Sequence, residues 1–145
     1  MSPTRSATAL IEHRERLAGV ETRTLSVAGE GPPLLLLHGY ADSADTWRAM
    51  LERFAEAGRA ATALDLRGFG TADPLDPREL LLPQWDAMVD AAVAELGAAH
   101  GRQVYVVGNS LGGALALRAA EREELPVAGI VPIAPAGLHL SLIHI

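Results

Sequence analysis

With 145 residues, 49% of them apolar and 21% charged, the chain is long enough for one domain with a buried core and too apolar for disorder. A net charge of −6 without any basic run argues against a nucleic-acid partner, and the absence of cysteine excludes disulfides and thiolate metal sites. That balance suits a cytoplasmic protein. The charged amino terminus has no uninterrupted apolar segment of the kind a secretory signal needs. Residues 127–145 lack Asp, Glu, Lys and Arg over nearly a membrane span, but Pro132, Pro135, Gly137, His139 and His144 suit strand and loop better, so no membrane partner is expected.

In chain order, residues 4–18 set Leu10, Ile11 and Leu17 among charges, which predicts a short amphipathic helix and an N-terminal helical segment over 1–19. Residues 21–27 alternate weakly and are rich in Thr, which predicts one or two strands. Gly29-Glu30-Gly31-Pro32 reads as a turn. Residues 34–37 are a continuous apolar run, the pattern of a strand covered on both faces. Asp42 or Ser43 caps a helix running to about Ala57 and stopped by Gly58. A second buried strand over 61–64 leads into Asp65-Leu66-Arg67-Gly68-Phe69-Gly70 and a connection rich in Pro and Asp. A helix over 83–99, strand 104–107, helix 111–123 and strand 128–133 follow. Strands and helices alternating at this spacing imply a mostly parallel sheet flanked by helices, an α/β fold.

Gly108-Asn109-Ser110-Leu111-Gly112 is a G-x-S-x-G pentapeptide set between a buried strand and a helix. A serine on such a sharp turn is lifted out of the sheet, and Gly108 and Gly112 leave room for the tight backbone. The bland alternative is a glycine-rich turn with a spectator serine; the strand–helix context favours the nucleophile. His38-Gly39-Tyr40 ends strand 34–37, and loops at strand carboxyl ends gather on one edge of a parallel sheet. The amides of Tyr40 and Leu111 are therefore candidates to hold an oxyanion, while the His38 side chain reads better as a turn residue bonded to nearby backbone. Trp47, Phe69 and Trp85 read as core rather than as an acyl pocket, and Glu121, Glu123 and Glu124 as a solvated helix end. The five histidines are scattered without metal-ligand spacing, so no metal and no organic cofactor are expected.

The three motifs together, His38-Gly39-Tyr40, Asp65 to Gly70 and Gly108 to Gly113, resemble the amino-terminal part of the α/β-hydrolase family over about residues 20–137. The resemblance implies Ser110 as nucleophile, Tyr40 and Leu111 amides as oxyanion hole, and Gly108, Gly112, His38 and Gly39 as supports. It makes Asp65 and Arg67 turn and loop residues. A small-molecule acyl substrate is implied, with a serine hydrolase of ester or related acyl bonds as the leading reading. Gly-Asn-Ser-x-Gly-Gly also resembles hydrolases that cleave carbon–carbon bonds of ring-fission products. The alternative of another class is a non-catalytic hydrolase-like binder. Oligomeric state is left open.

In this fold the triad follows the order Ser, acid, His. After Ser110 there is no aspartate; Glu121, Glu123 and Glu124 are the only later acids, and His139 and His144 the only later histidines. Neither partner is assignable. At most six strands are expected where the family has about eight, which reads as truncation before the last strands. Residues 138–145 read as a non-native tail, because Ser141-Leu142-Ile143-His144-Ile145 resembles adapter read-through. Negligible turnover is the expectation for this chain.

Overall fold

Residues 34–37 are all leucine, and a run apolar on both faces is stable only inside a layered structure. A computed structural model describes residues 9–137 and places that run in β3 (Glu30–Leu37), at the centre of a six-stranded sheet. The other strands are β1 (Ile11–Leu17), β2 (Val20–Val27), β4 (Arg59–Leu64), β5 (Val104–Asn109) and β6 (Val127–Ile133). Their spatial order is β1-β2-β4-β3-β5-β6. The hairpin β1–β2 joins β4 antiparallel, whereas β4, β3, β5 and β6 are mutually parallel.

Alternation along each strand divides the core in two. Leu35, Leu37, Leu64, Val104 and Val106 face α2 (Leu81–His100) and α3 (Leu111–Ala120), where Met88, Val89, Val93 and Leu115 meet them. Leu25, Val27, Leu36, Ala61, Ala63 and Val107 face the opposite way. That second layer is closed by α1 (Arg48–Glu56) and the 3₁₀ turn Ala44–Trp47, through Trp47, Leu51 and Ala55. Ser43 caps the 3₁₀ turn by accepting the Asp45 N–H, and Gly58 follows α1 at φ 70°. The helix expected from 83 begins instead at Leu81. Pro83 sits in its first turn, where no N–H is needed. The helix after Ser110 stops at Ala120, three residues short of expectation.

The amino-terminal segment departs from the helix expected over 4–18. Of its residues, 11–17 form a strand, β1, and residues 1–8 lie outside the described residues. Leu10, Ile11 and Leu17 set among charges suggest a helix face, but the two residues after Leu17 decide the matter. Ala18 and Gly19 both take positive φ (51° and 76°) and close a two-residue hairpin with Leu17 opposite Val20. Pairing across that hairpin sets Arg16 against Glu21 at 3.0 Å, so the charges that suggested a helix face instead decorate an edge strand. The 138–145 tail lies outside the described residues.

Candidate active site

β5 runs straight into α3 through one residue, Ser110, at φ 53° and ψ −112°. A positive φ at a residue with a Cβ is costly and persists only where the surroundings enforce it. Here they do. A Cβ at Gly108 would lie 2.0 Å from the Gly112 carbonyl oxygen, and one at Gly112 would lie 2.2 Å from the Leu37 carbonyl oxygen. The elbow is thus packed backbone on backbone against both its own helix and the end of β3. Three bonds pin it further: Ser110 N–H to the Ile133 carbonyl at 2.9 Å, and Ala114 and Ala136 N–H to the Ser110 carbonyl, each at 3.0 Å.

The turn after β3 reaches the same place. A Cβ on Gly39 would lie 3.4 Å from the Ser110 Cβ, so residues 38–40 stand against the serine. Neither the Tyr40 nor the Leu111 amide finds an acceptor among the described residues. For Leu111 the reason is general, because the first amides of a helix have no intrahelical partner. The Tyr40 side chain is exposed and meets the edge of Phe69 with ring centroids 5.2 Å apart. Phe69 in turn stacks on Trp85, which is core and donates its indole N–H to the Arg67 carbonyl at 2.9 Å. Trp47 belongs to the other layer.

His38 is fully buried. Its Nε2 accepts the Leu66 N–H at 2.9 Å, so Nδ1 carries the proton and donates it to the Gly39 carbonyl at 2.7 Å. Burial holds its pKa below the ordinary imidazole value, against the upward pull of the Gly39 bond and of Asp65 and Asp42. The imidazole is therefore committed to backbone, as expected of a turn histidine.

Asp65 emerges as a larger element than its motif suggests. Its fully buried carboxylate accepts from the amides of Ala44 (2.8 Å) and Thr71 (3.0 Å), the Thr71 hydroxyl (3.1 Å), and Arg23 Nε and Nη2 (3.1 and 3.2 Å). Burial alone would raise its pKa; the Thr71 and Ala44 amides and Arg23 outweigh it and hold the carboxyl below the usual range. Arg23 also bridges to Asp45 and Glu12, which raise its pKa despite burial. Sequence reading missed Arg23; its one signal is a lone arginine among the threonines of β2. Arg67 donates to the Pro74 carbonyl at 2.9 Å, a loop contact.

No histidine or carboxylate hydrogen-bonds to the Ser110 hydroxyl among the described residues, and His139 and His144 lie outside them. Glu121, Glu123 and Glu124 are exposed after α3, away from the elbow's bonds. Among the described residues no three metal-ligating side chains converge, and no helix is long and apolar enough to cross a membrane.

A family model described as the alpha/beta hydrolase fold matches residues 32–144. The chain belongs to that family. Among alpha/beta hydrolase relatives, a 2-hydroxymuconate semialdehyde hydrolase of Pseudomonas sp. (strain CF600) is 34% identical over 129 residues, 86% of this chain and 44% of the relative. A putative protein-lysine deacylase, ABHD14B of Rattus norvegicus, is 39% identical over 108 residues, 70% of this chain and 49% of the relative. The chain thus spans about half the length of these relatives. Among solved structures, a membrane phospholipase A superposes with TM-score 0.76 at 29% identity, covering 88% of this chain and 40% of the other. An epoxide hydrolase of Vigna radiata superposes with TM-score 0.74 at 21% identity, covering 83% and 37%, a likeness of fold alone.

Proposed function

We propose that the protein is a serine hydrolase of ester or related acyl bonds in which Ser110 attacks the substrate carbonyl. The observation that carries this reading is the strained Ser110 beside two amides without acceptors, those of Tyr40 and Leu111. As the carbonyl becomes tetrahedral its oxygen gains negative charge, and two fixed N–H donors stabilise that charge without reorganising. Removing one such donor typically costs ~10²–10³ in rate. The acyl group passes to Ser110 Oγ with departure of the alcohol or amine, and water then releases the acid.

A serine also separates this chemistry from that named by the epoxide hydrolase relatives. Attack of a hydroxyl on an epoxide leaves an ether, which water does not readily cleave, whereas an acyl-serine ester turns over. A second reading is hydrolysis of a carbon–carbon bond next to a carbonyl, which uses the same attack with a carbon leaving group. It is favoured by the 2-hydroxymuconate semialdehyde hydrolase and by a 2-hydroxy-6-oxo-6-(2'-aminophenyl)hexa-2,4-dienoic acid hydrolase of Metapseudomonas resinovorans, 31% identical over 95% of this chain and 47% of the relative.

A fluorophosphonate probe tests the nucleophile without requiring turnover. The expected result is an adduct mapped to Ser110 by mass spectrometry and absent from Ser110→Ala. Labelling that survives the substitution refutes Ser110 as the nucleophile. A panel of aryl esters against vinylogous diketones then separates the two leaving groups.

A further inference from the structure

His38 is the only histidine among the described residues whose ring is buried, and both ring nitrogens are spent on backbone of two separate segments. Nε2 holds the Leu66 amide at the start of the turn after β4. Nδ1 holds the Gly39 carbonyl, one residue before the Tyr40 amide and against Ser110. The same Gly39 carbonyl accepts the Asp42 N–H at 3.2 Å, which closes the 39–42 bend. The neutral ring is therefore the strap that ties the bend bearing Tyr40 to the neighbouring strand end.

We propose that His38 is a positioning residue for the Tyr40 amide and that a second proton on its ring releases the 38–42 bend. The functional consequence rests on the Ser110 reading above; the strap itself does not. A proton on Nε2 would point an N–H at the Leu66 N–H across 2.9 Å, replacing a hydrogen bond by two opposed donors. The new cation would also have no carboxylate in hydrogen-bond contact, because the ring's two bonds go to backbone. The carboxylates facing it are Asp65, already filled by Ala44, Thr71 and Arg23, and Asp42, which accepts the Ser43 amide at 2.8 Å. Phe69 lies T-shaped to the ring at 5.7 Å and carries no charge to offset the cation. A buried unpaired cation is strongly disfavoured, so protonation is coupled to turning the ring out and freeing the Gly39 carbonyl. The depressed pKa of His38 places this event on the acid side of the ordinary imidazole range.

The test is nuclear magnetic resonance of the whole 145-residue chain between pH 8 and pH 5, repeated with Ser110→Ala and His38→Gln. Imidazole nitrogen shifts should report the Nδ1–H tautomer at pH 8. The Gly39, Tyr40 and Leu66 amide signals should then move together with one midpoint as pH falls. His38→Gln keeps an acceptor for the Leu66 N–H but does not titrate, so that shared transition should vanish. Fluorophosphonate labelling of Ser110 should fall on acidification up to ~10²-fold further in the natural chain than in His38→Gln, the cost of losing one oxyanion donor. An Nε2–H tautomer, a Tyr40 amide that stays still while Leu66 moves, or a transition that persists in His38→Gln overturns the proposal. The first two need no variant to fold. Absence of Ser110 labelling at every pH removes only the labelling readout and leaves the amide titration, readable in Ser110→Ala, to decide the strap.

Discussion

Replacing Asp65 by alanine removes the group on which three segments converge: Arg23 from β2, Ala44 from the 3₁₀ turn and Thr71 from the loop after β4. The buried Ala44 amide loses its acceptor at about 1–3 kcal/mol, and the part-buried Thr71 amide, which water can reach, loses its own at about 1 kcal/mol. Arg23, with its side chain 11% exposed, keeps Asp45 and Glu12. Its loss is therefore smaller than the ~3–5 kcal/mol of a buried pair broken outright, and about 1–2 kcal/mol is reasonable. The expected total is roughly 3–6 kcal/mol, against a whole-domain stability of about 5–15 kcal/mol. Urea unfolding followed by circular dichroism should show a midpoint lowered by about 1 M or more, given slopes of about 1–3 kcal/mol per molar. Asp65→Asn preserves shape and one acceptor oxygen and should lose less. The sign with pH follows from the depressed folded pKa: the carboxylate's contribution is present above the unfolded value of about 3.9 and fades as pH falls from there toward the folded value. Asp65→Asn should lack that acid-range component. A loss under about 1 kcal/mol in Asp65→Ala would refute the role of hub, because the stranded Ala44 amide alone accounts for at least that much.

Gly112→Ala forces a Cβ to 2.2 Å from the Leu37 carbonyl oxygen, so β3 and the elbow must part; at least about 3 kcal/mol should be lost in urea titration, and unchanged stability would show that the elbow yields freely. Leu115→Ala, at a fully buried site between α3 and the sheet, should cost about 2–5 kcal/mol by the same measurement. Arg118→Ala breaks a two-pronged contact with Asp86 at 2.7–3.1 Å, yet Arg118 is 39% exposed; a change below about 1 kcal/mol is expected, and a larger one would mean the pair also locks α2 to α3. Ala18→Asn should stabilise by roughly 0.5–1 kcal/mol, because Asn tolerates the positive φ of this hairpin turn better than Ala; a lower unfolding midpoint would contradict the turn assignment.

Much of this site was legible in local sequence because its constraints are local. A G-x-S-x-G between a buried strand and a helix needs only its neighbours to define a sharp turn, and the glycine clashes at 108 and 112 give the steric reason. The 34–37 run similarly announced a strand covered on both faces. The network behind the site was not legible. Nothing near Arg23 in sequence says that it will meet Asp65, because the two are brought together only when β2 pairs with β4. The amino-terminal segment misleads for a related reason: Leu10, Ile11 and Leu17 among charges fit an amphipathic helix, and only pairing with β2 makes residues 11–17 an edge strand.

The sequence by itself determined the class of fold, the position of the elbow and the identity of the residue upon it, since periodicity and glycine placement act over a few residues. Tertiary structure alone decided what surrounds Ser110. It brought the Tyr40 turn against the serine, left two amides without acceptors, and spent both nitrogens of His38 on distant backbone. Those outcomes depend on strand order, and strand order is settled by which buried faces and hydrogen-bond ladders satisfy one another across the whole sheet.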